Sequence, residues 1–219
     1  MLNTNYKSIR HFTYLNKFLF IVPTIIIFLF FISLVSLSSG AVSTTYNETF
    51  EYLLNSILNS SEIDPVKEKV ISNIRFPRII LSILVGASLA VSGASLQGIF
   101  KNPMADPGII GVSSGSAVGA VLVISLGFSS YSIFMLPMFS FIGGLSAAFL
   151  VFLISRFASN SSSTAFILSG LAVSAFLNSL ISLILVSSKK FGELTSILNW
   201  LAGGFQDSRW EHVYITFPV

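Results

Sequence analysis

Few of the 219 residues have the types and spacing that covalent chemistry requires. The segment 111–115 reads Gly-Val-Ser-Ser-Gly and fits G-x-S-x-G, the nucleophile elbow of serine hydrolases. That elbow needs a strand-to-helix turn and a histidine partner. Here the segment opens a predicted helix, and the two histidines, His11 and His212, lie near the ends of the chain. A hydrolase that uses Ser113 is therefore the less favoured alternative, and a fluorophosphonate probe would detect it.

Other reactive groups are missing from the sequence. It contains no cysteine, which excludes disulfides, thiolate metal sites and thiol catalysis. It also lacks a G-x-x-x-x-G-K-[ST] loop, which holds nucleotide phosphates in P-loop ATPases. We predict no catalytic residue, no metal and no cofactor, and expect any ATP-driven step to be performed by a partner.

The composition indicates a membrane protein. Hydrophobic residues make up 53% of the chain, charged residues make up 10%, and the mean hydropathy is +0.83. Soluble domains have about 25% charged residues. The net charge of +3 is dispersed, which argues against a nucleic-acid partner. The predicted fold class is all-α, a polytopic transmembrane helical bundle in a lipid bilayer.

Uncharged stretches of about 20 residues, long enough to cross the hydrocarbon core of a bilayer, recur along the sequence. Five spans are predicted, at residues 18–37, 79–100, 109–128, 133–155 and 165–188. A sixth begins at residue 210 and is cut off at the end of the chain. Residues 1–17 form a tail, and residues 18–219 form a transmembrane domain that we expect to be C-terminally incomplete. Signal-peptide cleavage after the first stretch is the less favoured alternative, because the stretch is longer than a signal peptide requires.

The basic residues give the orientation. Lys7, Arg10 and Lys17 precede the first span without an acidic residue, which favours a cytoplasmic N-terminus. With this orientation, five basic residues would lie inside and seven outside, so the total count of basic residues opposes the assignment. We keep it because the first helix usually dominates the orientation.

Small residues recur at four-residue intervals in the predicted spans, which lets helices approach each other closely. The second and third spans each carry such a stripe: Gly86, Ala90 and Ala94, and Gly111, Gly115 and Gly119. We expect these residues to pack helices, with the lining of a passage as the alternative.

The fifth span carries a more polar stripe, made of Gly170, Ser174, Asn178 and Ser182. An amide in hydrocarbon needs a protein or water partner. Asn178 should therefore face inward, where it either bonds a neighbouring helix or lines a wet path. The five spans contain no ionisable residue, which disfavours a carrier driven by an ion gradient.

Several separated motifs occur together in the order and spacing of one family. They are R-F-P-R at 75–78, G-A-S-L-A at 86–90, N-P-M-A-D-P-G at 102–108, G-V-S-S-G at 111–115, L-S-G-L-A-V at 168–173 and W-L-A-G-G-F at 200–205. The sequence thus resembles the FecCD family, the membrane permeases of binding-protein-dependent ABC importers for iron-siderophores, haem and vitamin B12. The likeness runs from about Arg75 to Trp210.

The resemblance implies an architecture and a set of partners. Members have about ten transmembrane helices, lie in the cell membrane and have a cytoplasmic N-terminus. Two permease subunits, identical or different, pair on cytoplasmic ABC ATPase subunits, and an extracytoplasmic substrate-binding protein delivers the substrate. This sequence would be the N-terminal part of such a permease, truncated after five to six helices and without the segment that docks into the ATPase.

The resemblance also implies roles for particular residues. Arg75 and Arg78 of R-x-P-R would meet acidic residues of the binding protein, since a guanidinium suits a carboxylate. Anchoring of the second span among headgroups is the alternative. A gate at the cytoplasmic mouth maps to Asn102, Pro103, Met104, Ser163 and Thr164. A simple turn is the alternative there.

The function expected from the resemblance is passage of a metal chelate inward, driven by a partner ATPase, without enzymatic activity. A ferric siderophore is the first choice of substrate, and haem or cobalamin the second. The fifth span would line the pathway. The alternatives are a truncated fragment that does not transport, the hydrolase mentioned above, and an ion-coupled carrier.

Overall fold

The computed structural model describes residues 3–40, 42, 44–58, 64–103, 105–157, 163–188 and 190–218. Side chains are described from residue 18 onward, except those at 53, 55–58 and 163. The regular elements in this part of the chain are all helical, which confirms the predicted all-α fold class.

The α-helices of the described residues follow one another along the chain. They are α1 Asn3–Ser38, α2 Tyr46–Leu58, α3 Pro65–Val70, α4 Phe76–Phe100, α5 Val112–Ser125, α6 Met135–Phe157, α7 Ser163–Ser187, α8 Phe191–Ala202 and α9 Trp210–Thr216. A π-helical turn, Ile71–Arg75, joins α3 to α4, and 3₁₀ turns at Pro107–Ile110 and Phe128–Ser130 flank α5. The chain divides into two compact units. The first is Met1–Val85 with Phe205–Val219, and the second is Gly86–Gly204.

Four of the described helical segments are long and apolar enough to cross a membrane: Phe18–Ser38, Pro65–Phe100, Met135–Phe157 and Thr164–Ser187. They overlap the stretches predicted as the first, second, fourth and fifth spans. The large apolar side chains of α1 between Phe18 and Phe31 are exposed, as expected of a helix that faces lipid.

The third predicted span, 109–128, is not one long helix. The 3₁₀ turn is followed by Gly111, whose φ of 85° is left-handed, and α5 then runs for only 14 residues. Gly127, with φ of 75°, follows its end. At 1.5 Å per residue α5 covers about 21 Å, less than the roughly 30 Å hydrocarbon core. The uncharged stretch did not reveal the breaks at the two glycines.

The loop expected between the first two spans contains two helices, α2 and α3. At the start of α2, the Glu48 Oε2 accepts a hydrogen bond from the Thr45 amide at 2.8 Å, as in a capping box. At the start of α3, the Asp64 Oδ1 accepts from the Val66 amide at 2.9 Å, and Pro65 is the first helical residue. Both capping patterns are visible in the sequence and could have revealed these helices.

Helix α2 is fixed to both of its neighbours in the first unit. The Lys67 Nζ donates to the Glu48 Oε1 at 2.7 Å, and this bond, with that from Thr45, lowers the pKa of Glu48 below its ordinary value of 4.5. On the other side, the Ser38 Oγ of α1 donates to the Thr49 Oγ1 at 3.3 Å. Thr49 is only 1% exposed.

In the second unit, α5 and α6 touch backbone to backbone. A Cβ placed on Gly119 would overlap the carbonyl of Phe139, and one on Gly115 would overlap the carbonyl of Gly143. The contact is reciprocal, since a Cβ on Gly143 would overlap the carbonyl of Gly115. We call Gly115, Gly119 and Gly143 the glycine seam. Such close approach is how helices associate where no hydrophobic force drives them together.

Helices α7 and α8 complete the packing of the second unit. Val121, Ile181 and Ile197 form one buried cluster, contributed by α5, α7 and α8. Ala147, Val151 and Val173 form another, between α6 and α7. The second unit therefore has its own core.

We expect Gly119→Ala to destabilise the chain, because the new methyl group would meet the backbone of α6. Overpacking of this kind costs about 1–3 kcal/mol, more than the roughly 0.5–1 kcal/mol that alanine gains over glycine inside a helix. The midpoint of thermal unfolding in detergent should fall.

The matched control is Gly98→Ala on α4, where the added carbon would meet no described atom within 4 Å apart from its chain neighbours and the backbone of its own helix. Its midpoint should stay unchanged or rise. Equal midpoints for the two variants would show that the seam does not limit stability.

Candidate functional site

Arg75, at the end of the π-helical turn, is buried, with 6% of its surface exposed. Its Nη1 donates to the carbonyl of Leu37 and to the Thr44 Oγ1, each at 2.5 Å. Its Nη2 donates to the carbonyl of Val42 at 2.5 Å. Leu37 lies in the last turn of α1, where helix carbonyls lack partners within the helix and the helix dipole favours a cation. Arg75 therefore caps α1.

The contacts of Arg75 within the chain give it a structural role, and its contact with a binding protein stays a prediction. A guanidinium taken out of water must keep its hydrogen bonds, and the end of α1 supplies them. Gly40 allows the approach, because a Cβ there would lie 2.7 Å from the Arg75 Nη2. In this structure Arg75 has a structural role.

Arg78 is more accessible than Arg75. It is half-buried; its Nε donates to the carbonyl of Phe205 at 2.9 Å and its Nη2 to that of Gln206 at 3.0 Å. A guanidinium has five N–H groups, so three remain without a hydrogen bond to the described residues. Of the two arginines, Arg78 is the one that can still receive a carboxylate.

Trp210 makes further contacts in the same region of the first unit. Its Nε1 donates to the carbonyl of Ser72 in the π-helical turn at 3.0 Å. Its ring lies 5.9 Å from that of Phe76, centroid to centroid. Together with Arg78, Trp210 ties the 205–206 turn and the start of α9 to the start of α4. Sequence reasoning did not predict this link.

The predicted gate segments lie at one end of the second unit. After α4, Lys101 adopts a left-handed φ of 48°, and the Asn102 amide donates to the carbonyl of Gln97 at 3.2 Å. Pro103 and Thr164 are exposed. Ser163 begins α7, and Met104 lies outside the described residues.

The residues that flank the two gate segments are in contact. The rings of Phe100, at the end of α4, and Phe166, in the first turn of α7, have centroids 5.2 Å apart. In the turn between Asn102 and α5, the Asp106 Oδ1 accepts from the Gly108 amide at 2.6 Å. The turn therefore has defined internal hydrogen bonds, and an aromatic contact holds it near the start of α7.

The polar stripe of α7 divides into two parts. Gly170 is buried and lies so close to the carbonyl of Ile109 that a Cβ on Gly170 would overlap it. Ser174 lies beside Gly111, since its Oγ would be 3.4 Å from a Cβ placed on that glycine. Asn178 and Ser182 are exposed, and the Ser182 Oγ donates to the Asn178 carbonyl at 3.0 Å. Gly170 and Ser174 thus pack against the 3₁₀ turn, whereas Asn178 and Ser182 lie on the surface of this unit.

The small-residue stripes differ in the same way. Gly115 and Gly119 belong to the glycine seam, and Gly111 provides the left-handed residue before α5. Gly86, Ala90 and Ala94 on α4 are exposed, and a Cβ on Gly86 would meet no described atom within 4 Å apart from its chain neighbours and the backbone of its own helix. The α4 stripe has no helix packed on it in the part of the chain that the structure describes.

A cavity of about 420 Å³ lies where α7 is followed by α8. It is lined by Ser125, Leu183, Ile184, Ser187, Ser188, Lys190 and Glu193. The Ser188 Oγ is buried and has no hydrogen-bond partner among the described residues. No residue of the predicted pathway lines this cavity.

The hydrolase alternative gains no support from the geometry. Ser113 lies in the first turn of α5, and the segment before it is a 3₁₀ turn rather than a strand. The described residues contain no group of three histidine or acidic side chains suited to a metal ion.

The comparison with protein families identifies the chain. Residues 25–219 match the model of the FecCD transport family. The chain belongs to this family. The prediction from the sequence motifs is thereby confirmed.

Relatives of this FecCD chain include import permeases. The molybdate import system permease protein MolB of Haemophilus influenzae is 44% identical over 71% of this chain and 45% of its own length. The cobalamin import system permease protein BtuC of Halobacterium salinarum is 44% identical over 68% of this chain and 40% of its own. The hemin transport system permease protein HmuU of Yersinia pestis is 30% identical over 87% and 55%.

A solved structure has the same fold. It shows a metal-chelate type ABC transporter in an inward-facing conformation, with 36% identity and a TM-score of 0.72, and the match covers 89% of this chain and 56% of that one. The present chain spans about half the length of the relatives it matches. The family and the apolar helices together indicate a multi-pass membrane protein.

We expect Arg75→Gln to destabilise the FecCD chain, because it removes a charged donor from buried carbonyls. Hydrogen bonds to charged groups contribute about 1.5–3 kcal/mol. The midpoint of thermal unfolding in detergent should therefore fall.

Arg156→Gln, which replaces an exposed arginine in the last turn of α6, is the matched control and should leave the midpoint unchanged. If Arg75→Gln were as stable as this control, the capping role of Arg75 would be wrong.

Proposed function

We propose that this chain serves in an ABC importer permease that passes an iron-siderophore or a related metal chelate inward. The match of residues 25–219 to the FecCD transport family carries the proposal. The relatives named as cobalamin and hemin permeases, and the metal-chelate transporter of the same fold, support this class of substrate. The permease itself has no enzymatic role, and its energy comes from a partner ATPase.

The chemistry of the helices suits a large, neutral pathway. The membrane-crossing parts of α1 and α7 contain no charged residue. Asn178 and Ser182 place an amide and a hydroxyl on the exposed side of α7. Polar but uncharged groups can contact a bulky chelate without the desolvation cost of a buried charge. We therefore assign the pathway wall to Asn178 and Ser182, with Gly170 and Ser174 as the packed base of the same helix.

The partners would be a second permease subunit, cytoplasmic ABC ATPases and an extracytoplasmic binding protein. The exposed stripe of Gly86, Ala90 and Ala94 offers α4 to another helix at close range. With a cytoplasmic N-terminus in the cell membrane, α2, α3 and Arg78 lie outside, and the turn with Asn102 and Pro103 lies inside. Arg78 would then receive a carboxylate of the binding protein, and the turn would form part of the inner gate.

Arg78→Glu should abolish docking of the binding protein, because the substituted carboxylate repels the acidic partner. In cells that contain the whole import system, ATP-dependent uptake of ferric siderophore should fall at least tenfold. Arg209→Glu, an exposed arginine beside α9, is the control for a change of charge and should preserve docking. Uptake that persists in Arg78→Glu would refute the docking role.

Two further conditions in the same assay test the function itself. Uptake should continue when the ion gradient is collapsed and ATP is maintained. Uptake that stops under this condition would indicate a carrier driven by the ion gradient instead. Competition by haem, cobalamin or molybdate would identify a different substrate.

A gate at the inner mouth predicts that its residues change accessibility during the ATP cycle. Because these 219 residues contain no cysteine, Asn102→Cys and Thr164→Cys would each introduce a single thiol into this part of the permease. Their rates of reaction with a small maleimide should differ between the resting state and the state trapped with ATP. Ser130→Cys, an exposed position beyond the other end of α5, should react at a constant rate. Constant rates at all three positions would contradict the gate.

A further inference from the structure

Helix α2 exposes an apolar stripe that no described element covers. Tyr46, Phe50 and Leu54 are 63%, 57% and 39% exposed. They are spaced four residues apart, so at about 100° per residue they fall within an arc of about 80° on one side of the helix. A stripe of two aromatic residues and a leucine is costly to leave in water.

The other sides of α2 have different surroundings. Thr49, which lies about 100° from the centre of the stripe in one direction, is buried against α1. Glu51, which lies about 100° away in the other direction, is exposed. The helix thus has one side packed on protein, one polar side and, between them, one exposed apolar side.

The position of α2 is set by the membrane-crossing helix α1. The Thr44 Oγ1, in the connection between the two helices, donates to the carbonyl of Ser38 at 3.0 Å, and the Ser38 Oγ reaches Thr49. The ion pair of Glu48 and Lys67 holds the side of α2 that lies about 160° from the centre of the stripe. The segment Phe18–Ser38 is a 21-residue apolar helix, so its last residue lies at the level where hydrocarbon ends. Helix α2 begins near that level.

We propose that Tyr46, Phe50 and Leu54 rest in the boundary between headgroups and acyl chains, at the membrane face where α1 ends. The stripe would continue the lipid-facing surface of α1 as an interfacial amphipathic helix, with Glu51 toward water. Aromatic residues are enriched at this depth. The partner is the lipid surface itself, and the proposal does not depend on transport.

Spin labels can test this directly, since the chain has no cysteine. The full chain with Phe50→Cys, or with Glu51→Cys as the matched control, would be labelled with a nitroxide and reconstituted in phospholipid vesicles. Collision with oxygen, which concentrates in lipid, is compared with collision with a water-soluble nickel chelate. At residue 50 the collision rate with oxygen should exceed that with the nickel chelate several-fold. At residue 51 the collision rate with the nickel chelate should be the higher of the two.

Two results would overturn the proposal. Dominance of the nickel chelate at residue 50 would place the stripe in water, and low collision rates with both reagents would show that another protein surface covers it. The midpoint of thermal unfolding of each labelled chain must match that of the parent. If Phe50→Cys does not fold, Tyr46→Cys on the same stripe replaces it and decides between the same outcomes.

Discussion

Hydrocarbon supplies no hydrogen-bond partner, so each polar group that enters it must be satisfied by the protein. In the first unit, the buried guanidinium of Arg75 has a similar requirement outside the hydrocarbon: it has no acidic partner among the described residues and is held by the carbonyls of Leu37 and Val42 and the hydroxyl of Thr44. The same constraint explains why hydroxyls inside the helices bond their own backbone, as Ser179 does with the carbonyl of Ala175. The end of α1, the π-helical turn and the start of α4 are joined because of this requirement.

In the second unit, the lipid environment favours helices that can approach each other closely. Helices that cannot gain by leaving water associate through dispersion contacts, and these require close approach. The glycine seam between α5 and α6 provides that approach. Val121 on α5 and Val151 on α6 are fully buried, whereas many other large apolar side chains of these helices are exposed. If the α7 surface with Asn178 forms the pathway wall as proposed, the closely packed pair of α5 and α6 would support it while the mouths of the pathway open and close.

The sequence predicted those features whose signal lies within one element. The apolar parts of α1, α4, α6 and α7 follow from uncharged stretches, and the seam residues Gly115 and Gly119 follow from four-residue spacing. The burial of Arg75 could not be predicted, because its acceptors Leu37 and Val42 lie 38 and 33 residues away and are backbone atoms that any sequence would supply. The division of the α7 stripe into a buried and an exposed part could not be predicted either. Gly170 is buried against the carbonyl of Ile109, and the position of that carbonyl depends on how the turn before α5 folds.

The R-x-P-R motif shows how one short sequence can join several segments. Arg75 ends the π-helical turn and binds backward to the end of α1, whereas Arg78 lies in the first turn of α4 and binds forward to the carbonyls of Phe205 and Gln206. The two side chains are three residues apart but serve different neighbours. If a partner's carboxylate pairs with Arg78 as proposed, it acts on the same guanidinium that holds the 205–206 turn. Docking and the position of α9, which begins at Trp210, would then be linked through a single side chain, and linkage of this kind works in both directions.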